Sequence, residues 1–86
     1  MATVATVEQI IAVATASKVG RVWQKPGQDE VRVYDGGDYL TLTPSCVIVG
    51  GAEIPAIAVS GRLSRRNGAA YAALRAAAEA AGMRAI

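Results

Sequence analysis

The chain has no histidine, no phenylalanine and a single cysteine, Cys46, among its 86 residues. Without imidazole, every catalytic triad that uses histidine as its base is excluded. One thiol excludes a disulfide scaffold and a cysteine/histidine zinc site. Cationic residues are missing from the start, where nothing basic precedes Lys18, and Glu8-Gln9 interrupt the opening apolar run. Ala14-Thr15-Ala16 is therefore not read as a signal-peptidase site. Long hydrophobic runs are also lacking. The stretches 46–52 and 54–59 are split by Glu53 and fall far short of the ~20 residues that span a bilayer. A soluble, cytoplasmic protein without membrane association is expected.

What remains is the composition of a small globule, 52% hydrophobic and 19% charged, with nine glycines and three prolines. Neither disorder nor a collagen-like repeat fits it. Residues 1–86 form one domain, and a chain of this size buries only roughly 60–65% of its unfolded surface. The net charge of +2 conceals a polarity. Residues 28–53 set Arg32 against five acids, whereas residues 54–86 set five arginines against Glu79. Seven of the nine cations are arginine, suited to bidentate contacts with carboxylate or phosphate.

Local patterns predict an α+β fold: an N-terminal helix, an antiparallel meander of three or more strands, and a C-terminal alanine-rich helix packed on one sheet face. Thr6 and Gln9 have capping-box spacing, and Val7, Ile10, Ile11 and Ala14 form an apolar stripe behind them. Gly20 is the expected left-handed stop. Two turn signals, Pro26-Gly27 and Gly36-Gly37, separate strands at 21–25, 30–34 and 39–43. Centred there, the turns set Val33 opposite Leu40, Val31 opposite Leu42 and Val22 opposite Val33, so both hairpins put their apolar residues on the same face. Pro44 is expected to end the third strand. Residues 46–49, a Gly50-Gly51 turn and a further strand at 54–59 follow, with Pro55 confining that strand to an edge or an irregular start. The second helix is expected to begin between Ser64 and Asn67 and to stop at Gly82, burying Tyr71, Leu74, Ala78 and Ala81.

The opposite face of the meander gathers the scarce aromatics. Alternation presents Arg21, Trp23, Arg32, Tyr34, Tyr39 and Thr41 there, with Trp23 across from Arg32 and Tyr34 across from Tyr39. Aromatics interleaved with arginine stack nucleobases, form protein-binding hot spots, or simply brace a thin sheet. No RNP-like signature accompanies them. A second feature is the basic turn Arg62-Leu63-Ser64-Arg65-Arg66-Asn67. Its cations oppose a helix dipole unless an anion or an acidic partner sits among them.

Enzymatic chemistry finds little support. Asp35 and Asp38 are ordinary turn residues, neither Gly-Gly pair precedes Lys-Ser/Thr, and Cys46 has no histidine to activate it. No cofactor and no metal are expected. The run Val19-Gly20-Arg21-Val22-Trp23-Gln24-Lys25, followed across a turn by Val31-Arg32-Val33-Tyr34, resembles a pattern of short phage and prophage reading frames. In size and architecture the chain is similar to small phage-encoded inhibitors of the anti-CRISPR type. That resemblance implies a non-enzymatic binding module occupying the surface of a host protein or nucleoprotein complex. The class shares no motif, so it assigns no residues. The sequence itself nominates Arg21, Trp23, Arg32, Tyr34, Tyr39, Arg62, Arg65 and Arg66. A small nucleic-acid-binding regulator using the same face is the alternative, and a homodimer is compatible with either.

Overall fold

The structure, a computed structural model, describes residues 4–63 and 67–86. Helix α1 (Val7–Ser17) opens on the expected capping box. The Gln9 backbone N–H donates to Thr6 Oγ1 at 3.1 Å, and the Thr6 backbone N–H donates to Gln9 Oε1 at 2.8 Å. Strands β1 (Arg21–Gln24), β2 (Val31–Asp35), β3 (Asp38–Val49) and β4 (Ala52–Arg62) follow, then α2 (Asn67–Ala80) and a two-residue β5 (Arg84–Ala85). The sheet order is β1-β2-β3-β4-β5. The first four strands pair antiparallel, while β5 runs parallel to β4, so the sheet is mixed. Removing the Thr6 hydroxyl (Thr6→Ala) leaves the Gln9 N–H without its capping acceptor. A loss of about 1 kcal/mol is expected in a denaturant titration.

Both early hairpins hold the anticipated registers: Val22↔Val33, Val33↔Leu40 and Val31↔Leu42. At the first turn, Pro26 leads Gly27 at φ +74°, and the Gln28 N–H donates to the Lys25 carbonyl at 3.2 Å, as a type II turn requires. At the second, Gly36 alone of the two central residues has positive φ, the II′ pattern. Val31, Val33, Leu40 and Leu42 are fully buried and share one core with Ile10, Val13 and Ala14 of α1, Leu74 and Ala78 of α2, and Ile57 and Met83. Val22 packs against that core partly buried. In α2, Ala70 is buried where Tyr71 was expected to lead the stripe, and Ala81 is exposed.

Two expectations are corrected. Lys18, not Gly20, takes the left-handed position that ends α1, at φ +54°. Gly20 is required for a different reason: a Cβ there would lie 2.1 Å from the Tyr34 carbonyl oxygen. Pro44 does not end β3, which continues through it to Val49, and Pro55 lies inside β4 rather than at an irregular start. Of the two alternatives for Pro55 the edge holds, since β5 pairs with β4 at Ala56 and Ile57 and the Pro55 nitrogen faces away from β3. Backbone direction explains both prolines. The Ile57 carbonyl accepts from the Ile86 N–H and the Val59 N–H donates to the Ile86 carbonyl, each at 2.8 Å, so these residues point their polar groups away from β3. Pro44 pairs with Ile57, and Pro55 has the same parity as Ile57 in β4. Neither missing N–H belongs to a β3–β4 ladder bond. Pro44 faces the side on which β2 has already ended.

Candidate functional site

Pairing across four strands builds the site. One cross-strand row reads Arg21↔Tyr34↔Tyr39↔Arg62, and the next reads Trp23↔Arg32↔Thr41↔Ser60. Because side chains alternate, these residues lie on the face opposite Val33 and Leu40. Six of the eight nominated residues are thus brought together. Arg65 and Arg66 lie outside the described residues, as does Ser64. Asn67, the later of the two residues between which the helix was expected to begin, starts α2 and accepts the Leu63 backbone N–H on its Oδ1 at 3.1 Å.

The rings form a connected ladder. Trp23 meets Tyr34 edge to face, with centroids 6.5 Å apart and planes at 74°; Tyr34 and Tyr39 are 5.2 Å apart and tilted by 43°. Arg32 sits among them, its guanidinium carbon 4.6 Å from the Tyr39 centroid and 5.9 Å from that of Trp23. Its Nη1 donates to the Tyr34 hydroxyl at 3.2 Å and its Nε to Glu30 Oε2 at 2.9 Å. The Tyr34 hydroxyl first, and then the Glu30 carboxylate, hold the Arg32 guanidinium above the ordinary arginine range. Both accept hydrogen bonds that favour the charged form. This central cation is consequently a fixed part of the ladder. It orients the rings, and its charge is already answered by Glu30.

Around this braced centre the surface is open. Trp23 keeps 41% of its surface exposed and Tyr39 37%. A shallow hollow of about 300 Å³ is lined by Arg21, Val22, Trp23 and Tyr34. Arg21 and Arg62 are exposed, and neither is ion-paired among the described residues. Reasoning from sequence missed that Arg62 belongs to this row, assigning it instead to the turn before α2. Counting back from the two-residue turn Gly50-Gly51, with both φ positive, places Arg62 opposite Tyr39.

Other chemistry is sparse. Among the described residues no three of Cys, Asp and Glu converge as metal ligands would, and no helix is long and apolar enough to cross a membrane. Cys46 is partly exposed, with Sγ 3.8 Å from Glu53 Oε1. No family model matches the chain, and neither the curated proteins nor the solved structures contain a match to it.

Proposed function

We propose that this protein is a non-enzymatic binding module that docks a partner protein through the aromatic and arginine face of its sheet. In this reading both helices cover the opposite sheet face, which leaves the ladder free for a partner. The supporting observation is the connected, half-open cluster of Trp23, Tyr34 and Tyr39 around Arg32. Trp, Tyr and Arg are the residues on which protein interfaces concentrate their energy, and rings already fixed by their neighbours lose little freedom on binding. Glu30 favours a protein over a nucleic-acid partner. A carboxylate hydrogen-bonded to the platform's central cation opposes phosphate approach. By resemblance, the partner is a host protein or nucleoprotein complex blocked in the cytoplasm by a phage or mobile-element inhibitor of the anti-CRISPR type.

Trp23, the only tryptophan, reports on this directly. In the free protein its emission is expected to be red-shifted and open to acrylamide. A single-stranded oligonucleotide should leave the signal unchanged, whereas nuclease-treated host lysate fractions that contain the partner should protect it. Trp23→Ala should then weaken the complex by ~2 kcal/mol or more. Quenching by oligonucleotide that high salt reverses would favour the nucleic-acid regulator instead. A tryptophan shielded in the free protein would remove the basis for either reading.

A further inference from the structure

From the row Arg21–Tyr34–Tyr39–Arg62 we infer that the surface recognises an acidic protein segment carrying two carboxylates, one on each side of a short apolar stretch. This inference rests on the docking reading above and names the chemistry of the partner. Three inter-strand steps of about 4.8 Å separate the Cα atoms of the two end arginines, a span of about 14 Å. Tyr34 and Tyr39 fill the interval, tilted against each other at 5.2 Å. The charges along the row are unequal in availability. Arg32, in the neighbouring row, donates to Glu30 and Tyr34 and lies over Tyr39, so its charge is spent within the protein. Arg21 and Arg62 have no ion pair among the described residues. The surface therefore presents an aromatic centre braced by Arg32, with an exposed arginine at each end that has no ion pair among the described residues.

The complement of that pattern is a segment with an anion at each end and nonpolar groups between them, matched to a Cα span of about 14 Å. Arginine forks donate bidentately to carboxylates, and the aromatic surface that Arg32 leaves uncovered packs against aliphatic or proline rings. A nucleic-acid strand fits less well. It carries a phosphate at every nucleotide, whereas the cation beside the middle of the row, Arg32, already donates to the Glu30 carboxylate and the Tyr34 hydroxyl. Carboxylates confined to the two ends make no demand on that cation.

A molecular ruler tests the spacing. Peptides of the form acetyl-Glu-(Pro)n-Glu-amide are stiff polyproline helices that lengthen by about 3.1 Å per residue. They would be titrated, for n from 1 to 7, into the isotopically labelled full chain while the Trp23 indole and backbone resonances are followed. Affinity should peak at n of about 3 or 4, whose glutamates stand about 12–16 Å apart. It should be about fivefold weaker at n = 1 and n = 7, and for the n = 4 peptide with glutamine ends, since two exposed ion pairs are at stake. Arg21→Glu and Arg62→Glu should each abolish the length optimum while the amide spectrum stays that of the folded protein. Absence of binding across the series, an affinity indifferent to length, equal binding of the glutamine-ended peptide, or an unaffected Arg62→Glu variant would each overturn the two-arginine assignment. Docking by the aromatic face fails separately, if Trp23→Ala leaves a captured partner's affinity unchanged. An oligonucleotide that shifts the Trp23 indole more strongly than any ruler would assign the row to nucleic acid and overturn the acidic-segment assignment.

Discussion

Leu40→Ala is expected to lower stability by about 3–4 kcal/mol, the middle of the range for a buried leucine cut to alanine. Leu40 is fully buried in β3, flanked by Val33 on β2 and by Gly61 on β4. Gly61 brings no side chain of its own to the space the leucine would vacate. A domain of this size is held by only about 5–13 kcal/mol, so this single truncation removes a quarter or more of its margin. The melting temperature should fall by at least about 12 °C, given about 4–8 °C per kcal/mol for small domains. Val33→Ala, across the same pair, should cost about 2 kcal/mol, having less volume to lose. Thr41→Ala, one residue along and on the other face, should cost under about 0.5 kcal/mol. Three similar, small losses in a denaturant series would show that the two faces are not distinguished by burial, and the register would fall with that result.

The contrast between Leu40 and Thr41 was legible in the sequence because two short turns flank β2. Each turn fixes a register independently, and both place valine and leucine on the same side. The aromatic face follows from the same parity, so Trp23, Tyr34 and Tyr39 could be grouped without coordinates. Legibility stops at Pro44. A proline reads as a strand terminator because it lacks a donor, yet here the donor would point to the side where β2 has ended. That neighbour-dependent fact is absent from the local sequence. The misreading hid the length of β3 and β4, and with it the position of Arg62 opposite Tyr39. Strand β5 is hidden for another reason. Two residues carry no alternation, and they are placed by the turn after α2, where Gly82 takes φ +77° and the Met83 N–H reaches back to the Ala78 carbonyl at 2.8 Å. Hydrogen bonds from Ile86 to β4 then hold the strand. The capping box of α1 was visible because both partners lie three residues apart.

Gly20→Ala is expected to be as damaging as a core truncation, although no apolar group is lost. The glycine is exposed and its φ is not in the left-handed region, so neither burial nor turn geometry marks it. What excludes a side chain is the neighbouring backbone. An added Cβ would stand 2.1 Å from the Tyr34 carbonyl oxygen and 2.9 Å from its carbon. A rotamer change cannot relieve a clash with main-chain atoms, so β1 must move off β2 at the Arg21↔Tyr34 pair. A loss of about 3 kcal/mol or more is expected, the upper part of the range for forced overpacking. The same movement draws Trp23 away from Tyr34 and Arg32, so its emission should change in the folded variant even under strongly native conditions. Gly68→Ala supplies the control with the opposite sign. Gly68 lies within α2 with nothing within 4 Å of the added methyl, and alanine there should stabilise by about 0.5–1 kcal/mol. Thermal melts of the two variants beside the parent decide the matter: a Gly20→Ala protein that melts with the parent would mean that β1 does not approach β2 closely enough to need a glycine. The aromatic ladder, which depends on that approach, would then have to be redrawn.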